Sequence, residues 1–185
     1  MKKYNNILVV IGAGAAGIIA AIKAKENNKD LEVILIEKTS KIGNKLKITG
    51  KGRCNITFDG DLEYFKRNIT NNSKFMYSSF NRFSNYQLLE YINSLGIKTK
   101  LERGNRFFLA SDDADELVNK LKEQLNKLNI IVKLNESVKE IVLENNNIVK
   151  SVITDKAEYI TSKVILATGG KSYPGTGSTR RWLYN

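Results

Sequence analysis

Short β-branched apolar runs alternate with amphipathic stretches along this chain. Ile7-Leu8-Val9-Val10-Ile11 and Leu31-Glu32-Val33-Ile34-Leu35-Ile36 have the length and composition of buried strands, with a helix predicted between them. Lys38 to Thr57 shows no sustained period and reads as a loop, and Asp61 to Phe83 is polar and aromatic with helix-like spacing. Ser84 to Leu95 predicts a short amphipathic helix with Tyr86, Leu89, Tyr91 and Ile92 on its apolar side and Gly96 as its stop. The aromatics of both stretches, Asp61 to Phe83 and Ser84 to Leu95, are expected in the core and not as a ligand platform. Ile97 to Leu101 and Phe107 to Ala110 read as strands, with Asn105-Arg106 in the turn between them. Ser111-Asp112-Asp113-Ala114-Asp115 reads as the cap and acidic first turn of a helix through Leu128.

The remainder alternates in the β manner: Ile130 to Leu134, Val138 to Leu143, a turn at Asn145-Asn146-Asn147, Ile148 to Ile153, and Tyr159-Ile160. These predict a β-meander crossing over the first unit. Val164-Ile165-Leu166-Ala167-Thr168-Gly169-Gly170 has the pattern of a buried strand that returns to a parallel sheet and ends in a glycine pair able to lie close to a ligand.

Chemistry enters where the first strand ends. Gly12-Ala13-Gly14-Ala15-Ala16-Gly17 follows it directly, and Glu37 closes the second strand 20 residues after Gly17. In a dinucleotide-binding βαβ unit the first glycine permits the tight turn, the second lets backbone approach a pyrophosphate, and the third lets helix pack on sheet. The helix N-terminus offers N–H groups to the phosphates. A carboxylate at position 37 can accept both ribose hydroxyls and would repel a 2′-phosphate, which points to FAD or NAD over NADP.

Composition narrows the field without changing this reading. The chain has 185 residues, 42% of them hydrophobic, enough for an ordinary core. The absence of histidine removes the usual general base and the commonest metal ligand, and a single cysteine, Cys54, excludes an intramolecular disulfide and a dithiol centre. The formal charge of +11 comes from scattered lysines, not from a basic stripe with interleaved aromatics, so nucleic acid is not the expected partner. Met1-Lys2-Lys3 before an apolar stretch superficially resembles a signal peptide. Its three glycines and missing cleavage pattern argue against that, and the stretch is shorter than the ~20 residues of a membrane span. A cytoplasmic protein is expected.

Within the loop-like segment, Gly50 and Gly52 allow unusual dihedrals while Lys51, Arg53 and Asn55 supply donors that can meet phosphate or flavin oxygens. An exposed basic turn is the plain alternative. Cys54 reads as a small packing residue more readily than as a reactive thiol.

Taken together, these motifs resemble the BaiN/RdsA-like NAD(P)/FAD-dependent oxidoreductases, also labelled aminoacetone oxidase family flavoproteins. The resemblance spans nearly the whole chain. It rests on Gly12 to Gly17 with Glu37, on Gly50-Lys51-Gly52-Arg53-Cys54-Asn55-Ile56-Thr57 beside the family's Gly-Gly-Gly-Arg-Cys-Asn-x-Thr, and on Ala167-Thr168-Gly169-Gly170-Lys171-Ser172-Tyr173-Pro174 with Thr176-Gly177-Ser178-Thr179. It implies an α/β fold: a Rossmann-like FAD-binding domain of the glutathione-reductase type, with a parallel sheet and a β-meander excursion. It also implies that flavin carries the redox chemistry between a small organic substrate and a nicotinamide nucleotide or oxygen. By resemblance Glu37 holds ribose, Arg53 and Asn55 lie along FAD, and Thr168-Gly169 passes beside it. The candidate cofactor-binding residues are Gly12, Gly14, Ala15, Ala16, Gly17, Glu37, Lys38, Gly50, Gly52, Arg53, Cys54, Asn55, Thr168, Gly169 and Gly170. No catalytic residue and no metal ligand is assigned.

The chain departs from the family pattern in three places. Lys51 replaces a glycine, and Asn105-Arg106-Phe107-Phe108-Leu109 stands where Gly-Arg-x-Phe-Pro is usual. The family continues Gly-Ser-Thr-Gly-Asp-Gly-Tyr, where this chain has Gly177-Ser178-Thr179-Arg180-Arg181-Trp182-Leu183-Tyr184-Asn185. Codons AGG-AGA-TGG-TTA-TAT for Arg180 to Tyr184, read one nucleotide later, spell Gly-Asp-Gly-Tyr. The expectation is that residues 1–185 are the N-terminal portion of an FAD/NAD(P)-binding domain, lacking the inserted substrate domain and the C-terminal return. Two other readings stand beside the enzyme: a non-catalytic remnant with a partial nucleotide site, and an FAD- or NAD-dependent protein acting on tRNA.

Overall fold

The computed structural model describes residues 6–144 and 148–170. The Asn145-Asn146-Asn147 turn and the motif and tail from Lys171 to Asn185 lie outside the described residues. Two compact units are present: one takes the chain up to Leu46 and again from Val118, the other takes Lys47–Leu117.

The first unit opens with β1 (Ile7–Ile11), α1 (Ala15–Asn27) and β2 (Glu32–Ile36), all within the predicted ranges. β1 and β2 pair in parallel, with Val9 beside Ile34 and Ile11 beside Ile36. Successive side chains in a strand face opposite sides, so Val9 and Ile11 share one face and Leu8 and Val10 the other. α1 packs on β1 and β2 with Gly17, Ile18, Ala21 and Ile22 buried, a helical stripe.

Lys38 to Thr57, which leads from the first unit into the second, is not all loop. α2 (Asn44–Ile48) leads through a 3₁₀ turn (Thr49–Gly52) to β3 (Asn55–Phe58). Five helical and four strand residues are too few to display a period, which is why the pattern stayed hidden. The aromatic stretch divides into α3 (Leu62–Asn68), capped by Asp61, and α4 (Tyr77–Arg82) after a 3₁₀ turn, with Asn72 left-handed between them. α5 (Asn85–Ser94) begins in a reciprocal Ser84/Gln87 capping box, worth about 1 kcal/mol. Its Leu89 and Ile92 are buried as expected, but Tyr86 is exposed, as are Phe75, Tyr77 and Phe83. Four aromatics of this region are therefore surface residues, while Tyr64, Phe65, Phe80 and Tyr91 are half-buried. β4 (Thr99–Glu102) and β5 (Arg106–Leu109) complete an antiparallel sheet of order β3-β5-β4. Arg106 belongs to the strand, paired with Glu102, not to the turn.

α6 (Ala114–Lys127) carries the chain back. Asp113 Oδ1 accepts the Asp115 amide at its start, and Ala114, Leu117, Val118, Leu121 and Leu125 form its buried stripe. β6 (Ile131–Lys133) then joins the parallel sheet beside β2 and is no part of the meander. The meander proper is β7 (Val138–Glu144), β8 (Ile148–Thr154) and β9 (Glu158–Ile160). Val138 and Val152 pack with Val9, Ile11, Ile34 and Ile36, so the meander covers one sheet face. β10 (Lys163–Leu166) returns beside β1. It is not the buried strand its composition suggests: Leu166 is 55% exposed, because β10 is an end strand of the order β10-β1-β2-β6.

Candidate functional site

The order of the parallel sheet decides where a site belongs. The chain moves outward from β1 through β2 to β6 and returns on the other side of β1 as β10. A doubly wound sheet binds its ligand at this reversal, outside the carboxyl ends of the strands. Gly12 follows β1 there, Glu37 follows β2, and Ala167 follows β10.

Three glycines shape the turn in different ways. Gly12 adopts φ of +102°, and a Cβ there would stand 2.6 Å from the Ala167 carbonyl oxygen. A Cβ on Gly17 would overlap the Gly12 carbonyl oxygen, so Gly17 sets the contact between helix and strand. Gly14 differs: its φ is −79°, and a Cβ would have no atom within 4 Å. Its missing side chain is needed by nothing among the described residues. It leaves an open cradle at the start of α1, where Ala15 and Ala16 are exposed, no side chain caps the helix, and the first turn carries no acid. An anion suits that end.

Glu37 is tied to the same turn. Its Oε2 accepts the Ala13 amide at 2.9 Å, while its Oε1 accepts the Thr39 amide at 2.9 Å and the Thr39 hydroxyl at 2.8 Å. Asn44 Nδ2 donates to Thr39 Oγ1 at 2.9 Å, and the Gly43 amide donates to the Ala13 carbonyl at 2.8 Å. The backbone of Glu37 is held as well, its amide donating to Lys133 and its carbonyl accepting from Glu136. Thr39, Gly43 and Asn44 carry no sequence motif: Thr39 and Asn44 are simply polar residues two and seven positions after the acid. Lys38 is exposed beside them.

The strand after β10 completes this half. The Ala167 amide donates to the Ile11 carbonyl at 2.9 Å, half-buried Thr168 lies next to the Gly12 turn, and Gly169 and Gly170 are exposed, Gly169 with φ of +72°. The first unit thus brings together Gly12, Gly14, Ala15, Ala16, Gly17, Glu37, Lys38 and Thr168 to Gly170.

The remaining candidates sit in the second unit. Gly50 and Lys51 are left-handed within the 3₁₀ turn, and a Cβ on Gly50 would stand 2.7 Å from Phe108 Cε1. Arg53 is already paired: its Nη1 donates to Glu102 Oε1 and Oε2 at 3.0 and 2.9 Å, its guanidinium lies 4.3 Å from the Phe108 ring centre, and Asp112 is 3.6 Å away. Cys54 is buried in a left-handed conformation, and burial pushes its thiol above its ordinary range against a smaller opposing effect of Thr49. Such a thiol packs and does not attack. Asn55 is exposed at the start of β3, and Gly52 lies on the turn before it.

Among the described residues, no helix is long and apolar enough to cross a membrane.

Known proteins match this arrangement. The chain is 31% identical over 181 residues to a 3-dehydro-bile acid delta(4,6)-reductase of Clostridium scindens, covering 94% of this chain and 41% of that protein. It is 28% identical to a ribosomal RNA dihydrouridine synthase of Haemophilus influenzae, covering 97% of this chain and 44% of the relative. The chain therefore spans less than half the length of these curated relatives. Among solved structures, a flavocytochrome c3 fumarate reductase superposes with a TM-score of 0.69 at 21% identity, over 91% of this chain and 34% of that one. A 3-ketosteroid delta1-dehydrogenase of Sterolibacterium denitrificans gives 0.68 at 13% identity, over 90% and 48%. At these identities the likeness is one of fold, the Rossmann-like FAD-binding type. The HI0933-like protein Rossmann domain matches residues 6–184, and this chain belongs to that family.

Proposed function

We propose that this chain supplies the adenosine and pyrophosphate end of an FAD site in an oxidoreductase that uses the flavin to reduce or oxidise a small organic substrate. The observation that carries the reading is the open cradle at Gly14 beside a Glu37 carboxylate held at the ends of adjacent parallel strands. Bound FAD supplies the hydride and electron transfer. The chain's own residues bind and orient it. The amides at the start of α1 face the pyrophosphate, Glu37 accepts from ribose, and Thr168 to Gly170 lie along the same edge. Lys38 is proposed to contribute to that site, and Gly50, Gly52, Arg53, Cys54 and Asn55 are proposed as the cofactor-binding residues of the second unit, Cys54 through its backbone. A nicotinamide nucleotide is the proposed electron partner. The relatives' names, a bile acid reductase and a ribosomal RNA dihydrouridine synthase, support a reduction as the reaction. A cytoplasmic location belongs to the same reading, supported by the single cysteine.

The test is to purify the full chain, titrate FAD and follow flavin absorbance on anaerobic addition of NADH or NADPH. Saturable binding and bleaching of the flavin support the oxidoreductase. Binding without bleaching assigns the nucleotide site but not the turnover, and protein that takes up no FAD overturns the proposal.

An RNA substrate is the second reading. It is favoured by the dihydrouridine synthase relatives and by the exposed aromatics Phe75, Tyr77 and Phe83 among Lys66, Lys74 and Arg82. Lys66 Nζ lies 5.6 Å from the Tyr77 ring centre. Aromatic faces with neighbouring cations stack on unpaired bases. RNA binding that weakens steeply with salt and with Phe75→Ala supports it; salt-insensitive or absent binding removes it.

A further inference from the structure

We propose that Thr39 is a positioning residue: its hydroxyl, oriented by Asn44, fixes the Glu37 carboxylate so that one defined acceptor site is presented to a ribose hydroxyl. The inference rests on reading Glu37 as the ribose-facing acid and deepens it.

An ionised carboxylate offers about four acceptor sites. Three are filled within the protein, two on Oε1 by the Thr39 amide and hydroxyl and one on Oε2 by the Ala13 amide. The site left over lies on Oε2, the oxygen that also grips the glycine turn. The expectation that Glu37 accepts two ribose hydroxyls at once is thereby reduced to one, unless a donor leaves.

Thr39 is the donor able to leave. Its Oγ1 stands 2.8 Å from Glu37 Oε1 and 3.0 Å from the Lys41 carbonyl oxygen, and a hydroxyl carries a single proton. Asn44 Nδ2 donates to the same Oγ1, which turns the proton toward these two acceptors. With the hydroxyl donating to Glu37, Oε1 carries two donors and the carboxylate is held in one rotation that presents one defined site; with it donating to Lys41, Oε1 keeps only the Thr39 amide and the carboxylate is free to turn. The Gly43 amide on the Ala13 carbonyl ties this loop to the phosphate turn, so the ribose acceptor and the pyrophosphate cradle move as one piece.

The experiment measures calorimetric affinities of the full chain for ADP and for 2′-deoxy-ADP, in the wild type and in Thr39→Val, Thr39→Ser and Asn44→Ala, with a melting temperature for each. The wild type is expected to prefer ADP about tenfold, the worth of one good hydrogen bond to a charged acceptor. Thr39→Val should reduce that preference to about twofold, Asn44→Ala to an intermediate ratio, and Thr39→Ser should restore it. A purely structural role would lower both affinities together and leave the ratio unchanged. An unchanged ratio in Thr39→Val, or one that Thr39→Ser does not restore, overturns the inference while leaving the site intact. A wild type that binds no ADP, or binds both ligands equally, overturns the assignment of Glu37 itself and the inference with it.

Discussion

The Ala13 amide donates to Glu37 Oε2 across 2.9 Å, joining the residue after the first glycine to the acid that ends the second strand. Two features separated by 24 residues in sequence are thus one object in space. The turn cannot shift without the carboxylate, which suits a cleft that must present donors for phosphate and an acceptor for ribose in fixed geometry.

This coupling makes the glycines unequal. Gly17→Ala would drive a methyl into the Gly12 carbonyl oxygen, so a loss of about 2 kcal/mol or more is expected, read as a lowered denaturation midpoint. Wild-type stability in that variant would show that α1 does not sit as described.

Arg53 is held by Glu102 and by the face of Phe108. Arg53→Ala should cost about 1 kcal/mol, as expected of a half-exposed ion pair stacked on a ring. Arg53→Lys should recover only part of it, since an ammonium cannot lay a planar face on the Phe108 ring. A double-mutant cycle with Glu102→Gln measures the coupling, and zero coupling contradicts the pairing.

Cys54 is 1% exposed, and burial raises its thiol pKa. Its thiol should resist a disulfide reagent at neutral pH in the folded chain and react fully once denatured. Rapid reaction in the native state would mean that the turn around it opens.

Acid should act through Asp155. The Ser137 amide donates to its carboxylate at 2.9 Å and lowers its pKa below the ordinary 3.8. A carboxylate depressed by folding contributes stability above its unfolded pKa and loses that contribution as pH falls through the folded value. The melting temperature should therefore decline below about pH 4, and less steeply in Asp155→Asn. At the other extreme, burial and the hydrogen bond to Glu136 raise the Tyr159 hydroxyl to about 12. Because that group is raised, its contribution is complete below the unfolded value and is lost as pH climbs toward 12. Absorbance titration of tyrosinate checks it.

The first unit was legible in the sequence because its signals are local: strands long enough to show β-branched runs, a helix between them, and glycines whose spacing follows from turn geometry. Even there Ile131–Lys133 reads from sequence as part of the meander, since a strand of three residues does not reveal whether it pairs in parallel with β2 or antiparallel with β7. Leu166 looked buried because composition does not say that a strand ends a sheet. The rings at Phe75 and Tyr77 are exposed for a related reason: apolar composition predicts core in a stretch whose short helices leave much of their surface uncovered. Thr39 and Asn44 had no signature at all, for their role depends on which atoms the fold brings within 3 Å of Glu37.

Of all measurements, FAD binding to the wild type and to Gly14→Ala, each with its melting temperature, tests the central claim most directly. A Cβ at Gly14 meets nothing within 4 Å at an ordinary φ, so the variant should melt like the wild type. If the cradle receives the pyrophosphate, the added methyl should weaken FAD at least about tenfold, or 1.4 kcal/mol. A wild type that binds no FAD, or a variant that binds it equally well, would contradict the site placed here.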